Sequence, residues 1–252
     1  MDLEKKWQAI FSQRALAFNT PHEISHWTEQ GFHRRFNAIG KRLKKLHQKG
    51  QRVLDLGAGP GPYARFFDSP VLADYSFNVL QKVPPDPPTL RVCADLDHLP
   101  FRPETFDGLL CVGLLQCRRM KPDDLAALAA LLKPGGWFLF ETLNCDCRDL
   151  DEEMAPFQKT MLSTFRNAKS SAPAYFVYND FVLYHSNRLE TGLNKAGFDV
   201  TGKEFLYSEL PAPAEHFNRF LADLGLFANV ERLHSRSFIL YGIKSRRPPH
   251  PP

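Results

Sequence analysis

Long apolar runs are missing from this sequence of 252 residues. No stretch approaches the roughly 20 apolar residues that a membrane-spanning helix needs, and the first residues are polar, unlike the apolar centre of a signal peptide. A cysteine framework is also missing, because the five cysteines are odd in number and not closely spaced as a set. These absences exclude a disulfide-rich secreted domain and predict a reduced, cytoplasmic chain without a membrane span.

A strong charge excess is missing as well. The 32 Lys and Arg residues stand against 28 Asp and Glu residues, a net charge of +4 that is too small to indicate nucleic-acid binding by itself. Cys145 and Cys147 are one residue apart, which is not a usual zinc spacing, so we expect no metal site. The length of 252 residues predicts one α/β domain, or one domain with a cap. Hydrophobic residues make up 43% of the chain, and the 21 phenylalanines indicate extensive aromatic packing in a large core.

The most informative stretch is a short apolar segment followed by alternate glycines. The residues Val53–Leu56 predict a buried strand, Gly57, Gly59 and Gly61 follow it, and a helix is expected to begin near Pro62. Alternate glycines let the backbone approach a ligand closely, and a helix N-terminus offers unpaired N–H groups. The pattern predicts a nucleotide-like ligand at the carboxyl end of the first strand of an open α/β sheet.

The glycine spacing separates two kinds of ligand. The dinucleotide fingerprint G-x-G-x-x-G would place its third glycine at position 62, where this chain has Pro62. Because Asp55 precedes Gly57 by two residues, the segment reads D-x-G-x-G-x-G and resembles the first motif of class I S-adenosylmethionine-dependent methyltransferases. The resemblance implies S-adenosylmethionine as the cofactor. Its methionine end would be held by Asp55, Gly57, Ala58, Gly59 and Gly61.

Two later acids extend the resemblance. Asp74 ends the predicted second strand, where a carboxylate can accept hydrogen bonds from both hydroxyls of a ribose, and Tyr75 beside it is assigned to the same ligand. The segment 92–101 resembles the A-D-x-x-x-L-P-F segment of the superfamily. That resemblance implies that Asp95 accepts from the adenine amino group and that the Leu96 backbone lies against the ring.

Three further segments match the same superfamily. Residues 106–113 resemble its fourth strand, whose end at Gly113 would lie beside the methyl group. The segment 132–137, L-K-P-G-G-W, predicts a helix end, a tight turn and the start of a fifth strand at Trp137. The segment 11–18 resembles the F-x-x-R-A-x-x-Y opening of ubiquinone/menaquinone and malonyl-carrier-protein methyltransferases, with Phe18 in place of the usual tyrosine.

The predicted architecture is an α/β fold with a seven-stranded Rossmann-like sheet, helices on both faces and an added helical and aromatic cap. The resemblance implies a last strand, residues 235–244, that runs antiparallel between strands five and six. We expect five regions along the chain: an N-terminal helical cap over 1–49, a cofactor-binding core over 50–143, an aromatic substrate lid over 144–185, the C-terminal half of the sheet over 186–244 with a helix at 214–227, and a disordered tail over 245–252.

Methyl transfer from a positively charged sulfur needs little catalytic machinery, because alignment alone can supply roughly 7–11 kcal/mol of the barrier. A general base is needed only when the acceptor atom starts protonated. Many relatives have a histidine or tryptophan shortly after the fourth strand, where this chain has Gln116, Cys117 and Arg118. The candidate catalytic residues on the acceptor side are Gln116, Tyr178, Tyr184 and His185.

Three interpretations of the acceptor remain open. The aromatic lid favours a small-molecule or carrier-bound acceptor. The helix predicted over 32–49 favours RNA, since residues 30–54 contain eight Lys or Arg and no acid, although stacking aromatic residues do not alternate with these cations. The unusual loop at 116–118 is compatible with a third interpretation, a cofactor-binding scaffold without catalysis.

Overall fold

A central sheet with helices on both faces dominates the computed structural model, which describes residues 2–169, 173–208, 232–233 and 235–246. The predicted helix over 214–227 and residues 247–252 of the predicted tail lie outside the described residues. Nine strands are described. They are β1 Val53–Leu56, β2 Val71–Asp74, β3 Leu90–Cys93, β4 Phe106–Val112, β5 Leu132–Leu143, β6 Tyr175–Tyr178, β7 Phe181–Tyr184, β8 Phe198–Ser208 and β9 Ser235–Lys244.

Seven of these strands form the main sheet in the order β3-β2-β1-β4-β5-β9-β8. The strands β1 to β5 pair in parallel, whereas β9 is antiparallel to both β5 and β8. This topology confirms the predicted Rossmann-like sheet and the position of its antiparallel last strand. The order reverses at β1, whose neighbours are β2 and β4, and ligands of open α/β sheets bind at such a reversal.

Seven α-helices accompany the strands in the described residues. They are α1 Leu3–Ala17, α2 Pro21–Ile24, α3 Glu29–Leu46, α4 Phe77–Leu80, α5 Pro122–Leu131, α6 Pro156–Asn167 and α7 Ser186–Lys195. None of the described helices combines the length and the apolar character that a membrane-spanning segment requires.

The core lies on both faces of the sheet because strand residues alternate between faces. On one face Phe138, Phe140 and Phe238 pack with α5 and α7. On the other face Leu139 and Ile239 pack against the apolar stripe of α3. The strands of the central sheet are therefore buried on both sides, as their near-continuous apolar sequences predict.

The helix predicted near Pro62 does not form. Residues Ala64–Phe66 make a single 3₁₀ turn instead, in which Ala64 N donates to Gly61 O at 3.1 Å. The chain returns to the start of β2 at Val71 within ten residues of Gly61, and the single 3₁₀ turn fits this short connection. The expected helix N-terminus beside the glycines is therefore absent from the described structure.

The fifth strand begins earlier than predicted. It starts at Leu132 rather than Trp137, and a register shift opposite Phe106 and Gly108 accommodates the residues between them. Gly135 has a φ of +81° in this segment, so the predicted tight turn is present as an irregularity within β5.

The predicted lid region folds as α6 and a two-stranded hairpin, β6–β7. Its apolar residues form a cluster of their own around Leu162 and Leu183. Asn179 and Asp180 form the hairpin turn with φ values of +45° and +67°, the conformation that two-residue hairpin loops favour. The tip rests on α1, where Trp7 Nε1 donates to the Asp180 carbonyl at 2.8 Å.

Candidate active site

A cavity of about 150 Å³, here called the cleft, opens at the carboxyl ends of β1, β2 and β4. Leu56, Ala73 and Val112 contribute from these strand ends. A smaller cavity of about 40 Å³ adjoins it on the side of the glycine loop, residues 57–61. The cleft thus lies at the reversal of strand order, the place where the fold predicts a ligand.

The glycine loop passes close to neighbouring residues and to the cleft, where side chains would collide or occupy the open space. Gly57 N and Ala58 N both donate to Ala73 O, at 2.8 and 3.1 Å, so the loop is tied to the end of β2. A Cβ at Gly57 would lie 2.9 Å from Leu114 Cβ. A Cβ at Gly59 would meet no described atom within 4 Å, so this glycine faces the open space of the cleft and leaves that space for a ligand.

Asp74 holds the loop from the other side. Its Oδ2 accepts from Gly59 N at 2.9 Å, and its Oδ1 accepts from Ser76 N at 2.8 Å. Burial raises the pKa of Asp74, although these two backbone N–H groups act in the opposite direction. Each carboxylate oxygen has a second lone pair, so Asp74 can also accept from hydroxyls of a ligand in the cleft.

Asp55 is a buried acid without a matching partner. Its side chain is 1% exposed, and its Oδ2 has no hydrogen-bond partner in the described part of the chain. Burial, together with the charge of Asp74, raises the pKa of Asp55 to about 8. The residue lines the smaller cavity beside Gly57 and Gly59, and an unpaired buried carboxylate favours a positively charged ligand group there.

The acid after β3 also reaches the cleft. Asp95 lines it together with Leu96, and Asp95 Oδ1 accepts from Asp97 N at 3.1 Å at the start of a 3₁₀ turn, Leu96–His98. Of the ten residues predicted to bind the cofactor, nine line one of the two cavities. Gly61 lines neither in the described structure, because a Cβ there would lie 3.0 Å from Leu72 and 3.2 Å from Val83, inside the packing beneath the loop.

The roof of the cleft comes from the N-terminal region. Trp7 and Phe11 of α1 line it, as do Ile24 and Trp27. Gln8 Nε2 donates to Tyr75 O at 3.1 Å and anchors α1 over the end of β2. Sequence reasoning placed a cap over residues 1–49 but missed Ile24 and Trp27, which lie outside the recognised opening.

Arg118 is a buried cation that sequence reasoning did not assign. Its guanidinium lines the cleft and lies among the carboxylates of Glu4, Asp95, Asp97 and Asp124. These acids come from α1, from the segment after β3 and from α5. Arg118 therefore connects the roof of the cleft to the sheet.

Only one of the four candidate catalytic residues is among the described residues that line the cleft. Gln116 is 5% exposed, and its Oε1 has no hydrogen-bond partner in the described residues. Tyr184 donates to Arg118 O at 2.7 Å and accepts from Met120 N at 3.0 Å. Tyr178 donates to Glu153 O, and His185 Nε2 lies 3.8 Å from Asp146. Gln116 thus lines the same cavity as Gly57 and Gly59, whereas Tyr178, Tyr184 and His185 do not line it.

The helix that was predicted as an RNA-binding surface is α3, and two of its arginines pair with acids of the protein instead. Arg35 is buried against Glu141, and Arg42 pairs with Glu204 and lies 4.0 Å over the Tyr241 ring. The cations on the exposed surface of α3 are Arg34, Lys41, Lys44 and Lys45.

The four exposed cations of α3 do not line either cavity, and the helix runs from the cleft toward the start of β2. The helix begins beside the cleft and ends at Leu46, and the ring of the next residue, His47, lies 5.0 Å from the Phe67 ring ahead of β2. Lys41, Lys44 and Lys45 therefore lie toward the amino ends of the strands.

A sheet of this order, with a glycine loop after β1 and acids after β2 and β3, defines a class I S-adenosylmethionine-dependent methyltransferase. Residues 28–203 match a family model described as a methyltransferase domain, and the chain belongs to this family. Residues 28–203 therefore form a methyltransferase domain of a family whose cofactor is S-adenosylmethionine. The particular branch suggested by the N-terminal opening stays a prediction.

Similar proteins are spread over several organisms. A tRNA U34 carboxymethyltransferase of Azotobacter vinelandii is 34% identical over 112 residues, which cover 40% of this chain and 35% of that protein. The chain thus spans about a third of the length of that curated relative.

Two solved structures share the fold. A putative methyltransferase of Haloferax volcanii, in complex with the activator Trm112, is 17% identical with a TM-score of 0.61 and coverage of 94% and 98%. A Leishmania major S-adenosylmethionine-dependent methyltransferase is 13% identical with a TM-score of 0.63 and coverage of 96% and 83%.

Proposed function

We propose that this methyltransferase acts on a small, largely apolar molecule, or on a small group presented by a carrier. The observation that carries the proposal is the roof of the cleft, where Trp7, Phe11, Ile24 and Trp27 line the cavity with largely apolar side chains. Such concave, apolar sites with few polar groups are typical of small-molecule ligands.

The residues that line the two cavities suit S-adenosylmethionine. Gly59 leaves open space above the backbone, and the unpartnered Oδ2 of Asp55 suits an ammonium group. In this proposal Asp55 and Gly57–Gly59 bind the methionine end, Asp74 and Tyr75 bind the ribose side, and Asp95 and Leu96 bind the adenine. The bound cofactor supplies an electrophilic methyl group, and the protein aligns the acceptor with it.

Gln116 is the polar group that we assign to the acceptor. Its buried Oε1 accepts hydrogen bonds and cannot remove a proton at neutral pH, so it orients an acceptor O–H or N–H rather than acting as a base. The carboxylate that α1 contributes to the cleft, Glu4, is paired with Arg118 at 3.3 Å. The arrangement therefore favours an acceptor atom that needs no strong base.

RNA is the second candidate, because the curated relatives include tRNA U34 carboxymethyltransferases. Against it stands the direction of α3, whose Lys41, Lys44 and Lys45 lie toward the opposite edge of the sheet from the cleft. A phosphate backbone bound there would not lead a nucleotide directly into the reaction site.

Methyl-labelled S-adenosylmethionine, incubated with the purified protein and total extract from its source, tests the proposal. We expect label in the small-molecule or carrier-protein fraction that survives ribonuclease treatment. The Asp74→Ala variant should weaken cofactor binding by more than twofold and should therefore reduce this label. A triple variant, Lys41→Ser, Lys44→Ser and Lys45→Ser, serves as the matched control and should keep it.

Label that disappears with ribonuclease and is reduced in the triple variant would overturn the proposal in favour of RNA. Cofactor affinity that stays within twofold in Asp74→Ala would instead contradict the placement of the cofactor.

A further inference from the structure

The segment that follows β4, residues 113–120, forms one wall of the cleft. The residues of this segment that line the cavity are Gly113, Leu114, Gln116, Cys117 and Arg118. Its regular structure is a single 3₁₀ turn, Leu115–Cys117, and a turn of this length fixes few backbone groups by itself. The conformation of this wall therefore depends on contacts with other elements of the fold.

Tyr184, at the end of β7, makes two such contacts through one hydroxyl group. The hydroxyl donates to Arg118 O at 2.7 Å and accepts from Met120 N at 3.0 Å. Arg118 and Met120 are both buried, and buried backbone groups need hydrogen-bond partners. Because a hydroxyl can donate and accept at the same time, Tyr184 satisfies a carbonyl and an N–H group of the segment 113–120 together.

The Tyr184 hydroxyl is suited to holding this segment rather than to proton transfer. The side chain is fully buried, and its ring lies 5.9 Å from the Tyr175 ring. Burial raises the pKa of the hydroxyl above its usual value, so the group keeps its proton at neutral pH and remains a donor to Arg118 O. The residue that the sequence offered as a candidate catalytic group thus acts on the wall of the cleft from behind.

The hairpin β6–β7 is itself fixed at both of its ends. Cys145 N donates to Tyr184 O at 3.0 Å, and Asn144 forms a parallel β-bridge with Tyr184, so the tyrosine is anchored to the end of β5. At the tip, Trp7 Nε1 donates to Asp180 O at 2.8 Å. The ring of Tyr184 therefore starts from a backbone that other elements hold in place.

We propose that Tyr184 is a positioning residue for methyl transfer, because its hydroxyl fixes the segment 113–120 and thereby holds Gln116 in the cleft. The inference rests on the proposed function, in which Gln116 orients the acceptor. The two bonds of the hydroxyl go to this segment and not to Asp55 or Asp74. Loss of the hydroxyl should therefore slow the reaction more than it weakens cofactor binding.

Two tyrosines of the hairpin provide a matched test in the full-length protein. Tyr184→Phe removes the hydroxyl and keeps the ring, and Tyr178→Phe is the control, since the Tyr178 hydroxyl donates to Glu153 O at 3.0 Å and that pair does not line the cleft. The measurement is the rate of label transfer from methyl-labelled S-adenosylmethionine to total extract, at rising cofactor concentration and summed over all fractions.

We expect Tyr184→Phe to lower the maximal rate roughly 10-fold, as the loss of a buried hydrogen-bonding group does, and to leave the KM for S-adenosylmethionine within threefold. Tyr178→Phe should change neither quantity. Adding Gln116→Ala to Tyr184→Phe should lower the rate by less than Gln116→Ala does in the wild type, because the two changes act through the same group.

Two binding and exchange measurements separate positioning from a general loss of folding. Calorimetric titration of Tyr184→Phe with S-adenosylhomocysteine should give the wild-type stoichiometry and an affinity within threefold. Amide hydrogen exchange at Met120 should become faster by at least about 10-fold in Tyr184→Phe, because its N–H group loses its partner. Exchange at Met120 should not change in Tyr178→Phe.

Three results would overturn the assignment. A maximal rate in Tyr184→Phe within twofold of the wild type would remove the hydroxyl from the reaction, and unchanged exchange at Met120 would show that the segment 113–120 does not depend on it. A reduced binding stoichiometry, or a cofactor affinity that falls as much as the rate, would show a merely structural role. Label that passes to RNA and still falls 10-fold in Tyr184→Phe would contradict the proposed acceptor while it supports the role of Tyr184.

Discussion

At the scale of single residues, the acids of the cleft show how one side chain can serve the fold and the ligand together. Asp74 ties the glycine loop to β2 through Gly59 N while it keeps lone pairs for a ribose. Asp55, in contrast, has no partner for Oδ2 among the described residues, so its burial is not offset by a hydrogen bond to that atom. Burial raises the pKa of both acids, but only at Asp74 do backbone N–H groups act against this shift.

The pKa of Asp55 predicts a pH-dependent stability. Because burial raises it to about 8, the folded protein keeps a proton that the unfolded chain loses near pH 4. The free energy of unfolding should therefore fall by about 1.4 kcal/mol for each pH unit between roughly 4 and 8. The neutral variant Asp55→Asn should lack this contribution, so its stability advantage over the wild type should grow from pH 5 to pH 8 in urea unfolding.

The raised pKa of Asp55 also predicts that ligand affinity depends on pH. If Asp55 meets an ammonium group, S-adenosylhomocysteine should bind the wild type more weakly as the pH falls from 8 to 6, and Asp55→Asn should flatten that dependence. A wild type and a variant with parallel stability curves over this pH range would refute the raised pKa.

At the scale of elements, the glycine loop replaces a helix terminus as the ligand-binding feature. The 3₁₀ turn at Ala64–Phe66 is too short to present a helix dipole, so backbone shape and the acids around the loop remain as the source of recognition. The roof of the cleft also depends on which element lies over it, since α1 and not the predicted lid region lines it. The lid region over 144–185 contributes no described residue to the cleft and instead supports α1 through the hairpin tip at Asp180.

Alanine substitutions at two glycines distinguish the effect of backbone strain from the effect of a blocked ligand site. Gly59 has a φ of +58° and Gly50 has a φ of +81°, and a Cβ at either position would meet no described atom within 4 Å. We expect Gly59→Ala and Gly50→Ala to destabilise the protein by a similar amount, about 1–3 kcal/mol. Only Gly59→Ala should weaken S-adenosylhomocysteine binding, because its methyl group enters the cleft.

Calorimetric titration of the two glycine variants, together with their thermal unfolding, checks this expectation. Equal ligand affinities in the two variants would contradict the assignment of the cleft to the cofactor.

At the scale of the whole molecule, the cleft joins parts of the chain that are distant in sequence. The α1 helix, the loops after β1 to β4 and the start of α3 all contribute lining residues. A ligand that contacts all of them stabilises the folded state by mass action, provided that it does not bind the unfolded chain.

Thermal unfolding measures this effect. S-adenosylhomocysteine at 100 times its Kd should add about 2.7 kcal/mol to the free energy of unfolding and raise the Tm by roughly 5–10 °C for a domain of this size. The Asp74→Ala variant at the same ligand concentration should show a smaller rise. A Tm that does not respond to the ligand in the wild type would be inconsistent with a cofactor site in this cleft.

Much of the fold could be predicted from the chain alone because its signals are local. The strand sequences, the glycine spacing and the acids at the ends of β2 and β3 each occupy a few consecutive residues, and the structure confirms the sheet order that their resemblance implies. The length of an element was less predictable, as the missing helix at Pro62 and the early start of β5 show, since both depend on how neighbouring strands constrain the connection.

The sequence by itself determined the residues of the glycine loop through local spacing, and the resemblance that its motifs carry implied the Rossmann-like sheet and the cofactor class. The tertiary structure alone decided which charges of α3 are buried, which element forms the roof and where Tyr178, Tyr184 and His185 lie. Arg35 illustrates the difference, since it stands in a run of cations but packs against Glu141, a residue 106 positions away. Burial and ion pairing between distant segments arise only when the chain folds, and no local pattern encodes them.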